Sequence, residues 1–307
     1  MTEPYDVLVI GGGPAGLSAA LNLGRSLARV LVVDADRPRN AATVFSHGFL
    51  TRDGIPPHEL RKLAREELHA YPTVDVRTRQ RVFSLREDGD GFAATVGRRE
   101  PGEQVRAHAV LLATGLRETL PPVPGLLGFY GMTLFSCAAC DGFELRGRHL
   151  GLFGQSADLA DRARLIARWS DRLTVFTHGA DVIDAVAEAE LATHGVTVER
   201  GLVSGLVGDK GRLERVDLED GRSTSVAGGF VRPEWSLDLS FLHGCSPTTD
   251  SDGHLLTDGS GRTSIRRLYA AGDAAAPGPQ QLIVAAGAGA RAAAVIVHDA
   301  VGVTTAH

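Results

Sequence analysis

Short apolar runs and amphipathic stretches alternate along the first forty residues of the chain. The apolar run Tyr5–Ile10 stops at three glycines, and the segment that begins at Pro14 carries apolar residues at helical spacing. A second apolar run, Arg29–Val33, ends at Asp34. The pattern predicts strand, tight turn, helix and strand, with a right-handed crossover that makes the two strands parallel.

The same pattern recurs in the middle of the chain. An apolar run at His149–Phe153 is followed by Gly154, an amphipathic run over Ser156–Trp169 and a strand-like run at Leu173–Phe176. A further buried strand is predicted at Ala109–Ala113. These elements predict a second dinucleotide-type fold after the first.

The last quarter of the chain adds a strand and a long apolar helix. The strand-like run Leu268–Asp273 ends in Ala-Gly-Asp, and the helix is predicted over Gln281–His298. Glycines interrupt this helix, which indicates close packing against a neighbour.

Two proline-containing breaks, Pro121–Pro124 and Phe230–Pro233, predict the crossings between domains. We therefore predict an α/β fold of two Rossmann-like, three-layer, dinucleotide-binding domains, the second inserted in the first. The first domain comprises residues 1–117 and 232–307. The second comprises residues 118–231 and carries a pair of cysteines.

Composition narrows the range of partners. The 307 residues carry a formal net charge of -5, and the basic residues, all but two of them arginine, are scattered rather than clustered. A nucleic-acid surface is not expected. No apolar run reaches the ~18 residues of a membrane span, and Met1–Tyr5 has no secretory pattern, so we expect a cytoplasmic protein without a membrane partner.

The glycine run Gly11–Gly16 matches the Gly-x-Gly-x-x-Gly pattern of dinucleotide sites. In this pattern the first glycine makes the turn, the second admits a pyrophosphate to the helix N-terminus, and the third allows close packing. Asp34 follows at the distance where a carboxylate binds ribose hydroxyls. A purely structural turn is the alternative. The candidate residues of the run are Gly11, Gly13, Pro14, Ala15 and Gly16.

Asp273 allows two interpretations. It is either a helix cap or, with neighbouring backbone amides, a ligand for a ribityl chain and pyrophosphate. The helix beginning near Gln281 would direct its positive end at the cofactor's ring. Together with the N-terminal glycines, the binding interpretation is favoured.

Cys137 and Cys140 are spaced Cys-Ala-Ala-Cys, which suits a zinc half-site, two buried small residues or a redox dithiol. The one other cysteine, Cys245, is isolated, and Asp141 rather than histidine follows the pair, which disfavours zinc and haem. We predict a redox pair and no metal site. Asp141 is either a proton carrier or a cap, and Cys245 is predicted to be structural.

These motifs, in this order along the whole chain, resemble a low-molecular-weight thioredoxin reductase. The resemblance implies bound FAD, a homodimer and a dithiol that exchanges electrons with the flavin, with Cys140 as flavin-proximal thiol, Cys137 as interchange thiol and Asp141 as proton donor. It adds further cofactor-binding candidates, which are Ala113, Thr114, Gly115, Gly272, Asp273, Gln280, Gln281 and Leu282.

The chain departs from thioredoxin reductases where NADPH should bind. Aligned on Leu152–Ala157, the second glycine motif keeps Gly154 and Ala157 but has leucine in place of its first glycine. Thioredoxin reductases place arginines after the next strand to bind the phosphate of NADPH. This chain has Thr177–Gly179 at that position, without an arginine. We expect NADPH use to be lost.

An FAD domain with a Cys-x-x-Cys pair and a degenerate second fold resembles the dithiol oxidases that close disulfides in natural products such as holomycin and gliotoxin. The segments Arg39–Ala41, His47–Gly54 and Pro57–Leu60 also resemble this branch. The resemblance implies oxidation of a small-molecule dithiol, with dioxygen as acceptor and hydrogen peroxide as product. His47 or His243 would assist with protons.

Two other functions remain open on the sequence. One is a thioredoxin or disulfide reductase that uses NADPH or ferredoxin. The other is a non-catalytic flavin-binding redox sensor, which the intact Cys137, Cys140 and Asp141 disfavour.

Overall fold

A computed structural model describes residues 3–275 and 278–303 of the chain. The strands, in chain order, are β1 (Tyr5–Ile10), β2 (Val30–Asp34), β3 (Val74–Thr78), β4 (Arg81–Asp88), β5 (Gly91–Gly97), β6 (Glu103–Leu112), β7 (Arg117–Thr119), β8 (Leu134–Phe135), β9 (Leu150–Phe153), β10 (Leu173–Phe176), β11 (Val196–Glu199), β12 (Val203–Asp209), β13 (Arg212–Leu218), β14 (Ser223–Ser225), β15 (Gly229–Val231), β16 (Glu234–Ser236) and β17 (Leu268–Ala270). The α-helices are α1 (Pro14–Arg25), α2 (Pro57–Leu68), α3 (Ala138–Leu145), α4 (Leu159–Ile166), α5 (Ala185–Ala192) and α6 (Leu282–Ala300).

Contacts divide the chain into two units. The first comprises Met1–Ala41, Gly48–Arg117 and Ser236–His307, and the second comprises Ala42–His47 and Glu118–Trp235. The ends of the predicted first domain, residues 1–2 and 304–307, lie outside the described residues.

The division differs from the predicted boundaries in two places. The second crossing falls four residues later than predicted, after Trp235, whose indole nitrogen donates a hydrogen bond to Glu118 of the same unit. The segment Ala42–His47, which the sequence places in the first domain, belongs to the second unit by its contacts. There the Ala42 carbonyl lies so close to Gly131 that a Cβ on that glycine would be 2.0 Å from it.

The first unit is built on a seven-stranded sheet in the order β3-β2-β1-β6-β5-β4, with β17 beside β6. Strands β1, β2, β3, β6 and β17 are parallel, and β4 and β5 are antiparallel additions. Helices α1 and α6 cover one face through a core of small and branched residues. The other face packs on β4, β5 and the segment near Phe241.

The second unit has a five-stranded parallel sheet in the order β11-β10-β9-β15-β8 and a three-stranded antiparallel sheet, β12-β13-β14. Its central strands β9 and β10 are buried along their whole length, as their unbroken apolar runs require of strands covered on both faces. The two parallel sheets of the molecule confirm the predicted α/β, Rossmann-like architecture.

Helix α6 has the length and apolar composition of a membrane span, although the sequence was expected to contain no such run. Its packing gives a different reason for this composition. Ala285, Ala292 and Ile296 are buried in the core of the first unit, and Gly289 lies against the backbone of α1 at Ala15. Close helix–helix contact explains the small residues of α6.

The contact between α6 and α1 predicts opposite effects at two glycines of α6. Replacing Gly289 by alanine would place a Cβ 2.0 Å from the Ala15 carbonyl, so we expect a loss of about 1–3 kcal/mol in the free energy of unfolding. Gly287 has open space around it, so Gly287→Ala should be neutral or stabilise by about 0.5–1 kcal/mol. Urea denaturation of the two variants measures the difference; equal stabilities would contradict this packing.

Candidate active site

The carboxyl ends of four parallel strands meet at one edge of the first sheet. Ile10 at the end of β1 pairs with Val33 of β2 and with Leu112 of β6, and Leu112 pairs with Ala270 of β17. The loops that follow these strands contain most of the predicted cofactor residues. This edge is where α/β sheets bind their ligands.

Two glycines shape the turn after β1. Gly11 has a φ of +117°, and a Cβ there would lie 2.1 Å from the carbonyl oxygen of Ala113. A Cβ on Gly16 would lie 1.9 Å from the carbonyl oxygen of Gly11. No side chain can occupy either position, so the turn and helix α1 approach each other through bare backbone.

The N-terminus of α1 is open. Gly13 occupies its N-cap position without a side-chain cap, Pro14 is the first helical residue, and the first turn contains no acidic residue. A Cβ on Gly13 would meet no atom within 4 Å. Unsatisfied amides and the positive end of the helix therefore face open space, an arrangement that accepts a pyrophosphate. Ala15 is buried behind this opening.

Asp34 lies at the end of β2 and is 6% exposed. Its Oδ1 accepts a hydrogen bond from the amide of Asp36 at 2.8 Å, whereas its buried Oδ2 has no hydrogen-bond partner in the described structure. The carboxylate is directed at the glycine turn, because a Cβ on Gly12 would lie 2.3 Å from Oδ2. A ribose hydroxyl would satisfy this buried acceptor.

Asp273 lies in a 3₁₀ turn, Gly272–Ala274, which has no side-chain cap. The capping alternative is therefore not what this structure has. Instead the carboxylate accepts a hydrogen bond at 2.7 Å from Arg39, which also donates to Oε1 of Gln280 at 2.9 Å. Arg39 was not predicted as a site residue, since no local spacing connects positions 234 residues apart. The one available signal was a loop carboxylate, since a partly buried acidic side chain such as Asp273 is commonly paired with a cation.

The other predicted cofactor residues continue the same edge. Ala113 is buried at the end of β6, Thr114 is exposed, and Gly115 has a φ of +66°. Gln281 is the N-cap of α6 without a side-chain cap, and Leu282 is its first residue. The start of α6 therefore offers free amides, like the start of α1. An open helix N-terminus, a glycine cradle and an unsatisfied buried carboxylate together fit FAD.

The cysteine pair lies in the second unit at the start of α3. Cys137 and Cys140 form a disulfide with Cα atoms 5.3 Å apart, and both residues are partly exposed. Cys137 is the N-cap residue, and its sulfur accepts a hydrogen bond from the amide of Cys140 at 3.2 Å. Gly142 allows α3 to pack on the ring of Trp169. An amide and a helix N-terminus both favour a thiolate at Cys137 when the pair is reduced.

Asp141 follows the pair within the first turn of α3 and is 8% exposed. Burial, assisted by the negative charge of Glu144, raises the pKa of Asp141 to about 7. The carboxyl group therefore exchanges its proton near neutral pH, which suits an acid or base in thiol chemistry.

The two histidines of interest lie in different units. His47, in the segment grouped with the second unit, has Nδ1 3.9 Å from a carboxylate oxygen of Glu144, three residues beyond Asp141. His243 is exposed in the first unit, and its amide donates to the carbonyl of Leu85. Of the two, His47 is the one that shares a unit with the cysteines.

The second glycine motif needs a correction. Leu152 does not occupy the turn: it lies within β9, fully buried and paired with Val175 and Phe230. Because β9 ends at Phe153, the turn glycine is Gly154, which corresponds by position to Gly11.

Counted from that glycine, the second and third glycines of the motif are replaced by Ser156 and Leu159. Helix α4 then begins five residues after Gly154, whereas α1 begins three residues after Gly11.

An acidic side chain lies at the start of α4. Asp158 is the N-cap residue, and it accepts hydrogen bonds from Ser156, Arg162 and Arg232 at 2.5, 2.8 and 2.9 Å. Burial alone would raise the pKa of Asp158, but these hydrogen bonds lower it to about 2. Arg232 also stacks over Trp235. A permanent carboxylate thus lies where a dinucleotide's pyrophosphate would need free amides.

The loop after β10 offers no cation of its own. Thr177 is fully buried, and Nδ1 of His178 accepts a hydrogen bond from the amide of Val203. The nearby Arg200 is paired with Glu188 at 2.7 Å. A ribose phosphate would find no unpaired guanidinium among these residues.

Comparison with known proteins agrees with this geometry. Residues 5–289 match the sequence profile of the pyridine nucleotide-disulphide oxidoreductases, and the chain belongs to this family. The protein is accordingly an FAD-binding, flavin-dependent thiol-disulfide oxidoreductase with a thioredoxin reductase-like fold. The predicted cofactor, fold class and family resemblance are confirmed.

Individual relatives make the resemblance more specific. The chain is 32% identical over 179 residues to a protein of Arthroderma benhamiae named probable thioredoxin reductase; the match covers 58% of this chain and 44% of that protein. The putative thioredoxin reductase TrxB of Bacillus anthracis superposes with a TM-score of 0.90 at 33% identity, covering 97% and 99% of the two chains. The structure of HlmI gives 0.88 at 33% identity, covering 98% and 95%.

Asp141 predicts an unusual dependence of stability on pH. Its pKa in the folded state, about 7, lies above the ordinary 3.8, so between these values the folded protein holds a proton that the unfolded chain has released. Stability from this group is therefore present at low pH and lost as pH rises toward 7 and beyond. We therefore compare the free energy of unfolding of Asp141→Asn with that of the wild type. We expect this difference to change by about 2–4 kcal/mol in favour of the variant between pH 4.5 and pH 8.

Urea denaturation at constant saturating FAD over this pH range measures the difference. Asp217→Asn is the control, because the hydrogen bond from Arg215 lowers the pKa of that exposed carboxyl and should give no such gain. Parallel pH curves for Asp141→Asn and the wild type would show that the carboxyl titrates normally.

Proposed function

We propose that the protein is an FAD-dependent dithiol oxidase that closes an intramolecular disulfide in a small-molecule dithiol, with dioxygen as electron acceptor and hydrogen peroxide as product. The observation that carries this proposal is a contrast between two helix starts. One is the start of α1 at the carboxyl edge of the first sheet, and the other is the start of α4 in the second unit. The first has the open helix start that FAD requires, whereas the second has Asp158 at that position. Electrons must then enter from a thiol substrate rather than from NADPH.

Three features of the second unit support exclusion of NADPH. Leu159 replaces the glycine that allows close approach of helix to turn, and its side chain is fully buried. The Asp158 carboxylate, at the N-cap position of α4, repels a pyrophosphate. Its two arginine partners, Arg162 and Arg232, are already engaged by it. Each feature alone weakens dinucleotide binding, and they act in the same pocket.

The segments Arg39–Ala41, His47–Gly54 and Pro57–Leu60 resemble the dithiol oxidases and support the oxidase over the reductase among proteins of the same fold, which include HlmI. The likeness to TrxB of Bacillus anthracis is equally strong by superposition, so overall fold does not separate the two functions. The two functions must therefore be distinguished by the residues at the start of α4.

In the proposed reaction a substrate thiolate attacks the sulfur of Cys137, forming a mixed disulfide and releasing Cys140 as a thiolate. The second substrate thiol then attacks the substrate sulfur of this mixed disulfide. The substrate leaves as its disulfide, and Cys137 is released as a thiolate that accepts the Cys140 amide hydrogen bond at the start of α3. Two electrons and two protons have passed from the substrate to the enzyme.

In this proposal Asp141 holds one of these protons, because its pKa of about 7 lets it accept a proton from a thiol and return it. His47, beside Glu144, is the second candidate for proton movement at this helix. When bound, FAD supplies the two-electron acceptor that returns the cysteine pair to its disulfide and delivers the electrons to dioxygen.

The remaining parts of the proposal concern the protein's surroundings. We propose a homodimer, as the family resemblance implies, in the cytoplasm, with no nucleic-acid or membrane partner. Light scattering of the purified protein tests the oligomeric state.

Anaerobic stopped-flow absorbance distinguishes the oxidase from a reductase. Mixed with excess small dithiol, the yellow protein should lose its flavin absorbance, and readmitted air should restore it with one hydrogen peroxide formed per flavin. Mixed with excess NADPH, it should keep its absorbance, since Asp158 and Leu159 exclude the dinucleotide. Rapid bleaching by NADPH, or no bleaching by any dithiol, would contradict the proposal.

Cysteine variants test the route of electrons. Cys137→Ser removes the sulfur that the substrate attacks, so dithiol should reduce its flavin at least about 10³-fold more slowly than in the wild type. Cys245→Ala is the control, because Cys245 is buried in the first unit and has no role in the proposed route. An unchanged rate in Cys137→Ser would mean that dithiols reach the flavin directly.

A further inference from the structure

Two arginines of α2 approach the carboxylates at the end of β2 and just beyond it. Arg61 and Arg65 lie one helical turn apart and therefore on the same side of the helix. Each has a buried guanidinium nitrogen without a hydrogen-bond partner in the described structure: Nε of Arg61 and Nη1 of Arg65. Buried unsatisfied donors are uncommon and indicate a missing acceptor.

The unsatisfied acceptor of Asp34 lies beside them. Nη1 of Arg65 and Oδ2 of Asp34 are 3.9 Å apart, which is beyond hydrogen-bond distance. A hydroxyl oxygen about 2.8 Å from both atoms would subtend an angle of about 90°, close to what a hydroxyl can offer as donor on one side and acceptor on the other. A carboxylate accepts and a guanidinium donates, so a hydroxyl satisfies both.

Arg61 holds this arrangement in place through Asp36. Arg61 Nη1 donates to Asp36 at 2.9 Å, and the amide of Asp36 donates to Oδ1 of Asp34 at 2.8 Å. Asp36 has a φ of +55°, a conformation that directs its amide back toward Asp34. One carboxylate oxygen is thereby fixed, and the other is left for a ligand.

We propose that Arg65 and Asp34 hold one hydroxyl of the adenosine ribose of FAD between them, and that Arg61 is a positioning residue for Asp34. The protein then recognises a ribonucleotide specifically, since a deoxyribose would leave a carboxylate and a guanidinium unsatisfied in a buried place. The recognition uses the adenosine diphosphate half of the cofactor and is independent of the proposed dithiol oxidase reaction.

The test is a binding measurement on the full-length apoprotein, accepted for use when added FAD restores the flavin spectrum of the original protein. ADP and its 2′-deoxy and 3′-deoxy forms compete with FAD, whose binding is followed by quenching of flavin fluorescence. In the wild type at least one deoxy form should bind about tenfold or more weakly than ADP, the size expected for a hydrogen bond to a charged group.

Arg65→Met should weaken FAD binding about tenfold and lower the discrimination between ADP and that deoxy form by about threefold or more, with the remainder coming from the hydrogen bond to Asp34. Arg65→Lys keeps a donor and should keep discrimination of about threefold or more. The control is Lys62→Met on the same helix, because Lys62 is exposed and pairs with Glu66, so its values should equal those of the wild type.

Two results would overturn the proposal. In one, the wild type binds ADP and both deoxy forms with equal affinity. In the other, Arg65→Met loses FAD affinity but keeps the wild-type discrimination, so that Arg65 acts on the fold rather than on the ribose.

Discussion

Backbone contacts with no room for a Cβ atom fix the ligand-binding edge of the first unit. Gly11 approaches the carbonyl of Ala113, Gly16 approaches the carbonyl of Gly11, and Gly289 of α6 approaches the carbonyl of Ala15. These contacts bring two helices and the ends of β1 and β6 together without intervening side chains. Every proposed contact to FAD depends on this approach, because the open amides at the start of α1 and α6 are placed by it.

The two units carry the same strand–turn–helix plan with different residues at the start of the helix. In the first, no atom of the described residues lies within 4 Å of a Cβ built on Gly13. In the second, a serine and a leucine replace two glycines, and the carboxylate of the N-cap residue Asp158 is held by Ser156, Arg162 and Arg232. A carboxylate at a helix N-terminus interacts favourably with the helix dipole and would repel an external anion.

Much of the fold could be predicted from the sequence because buried parallel strands consist of short, unbroken runs of apolar residues. The runs at Tyr5–Ile10 and Leu173–Phe176 are strands with those bounds. The glycine fingerprint likewise identified its turn, since Gly11 and Gly16 are each required by a backbone contact. Helix α4, predicted over Ser156–Trp169, is shorter in the structure, since its N-cap is Asp158 and the chain leaves the helix after Ile166.

The alignment of the second glycine motif, after β9, could not be predicted from the amino-acid sequence alone. Leu152 and Gly154 both allow an alignment, and only the end of β9 at Phe153 decides between them. The pairing of Arg39 with Asp273 joins positions far apart in the chain, and the placement of Ala42–His47 depends on contacts with Gly131. Arg65 was overlooked because an arginine on a surface helix carries no signal until its partner is known. The cofactor contacts of the predicted residues stay predictions.

The position of Cys137 at the start of α3 bears on the reduction potential of the disulfide. An amide hydrogen bond and a helix N-terminus stabilise the thiolate that appears when the pair is reduced. A disulfide whose reduced form is stabilised is the stronger oxidant. The local structure of eight helical residues therefore favours the flow of electrons from an outside thiol into the cysteine pair, which is the direction that disulfide formation in a substrate requires.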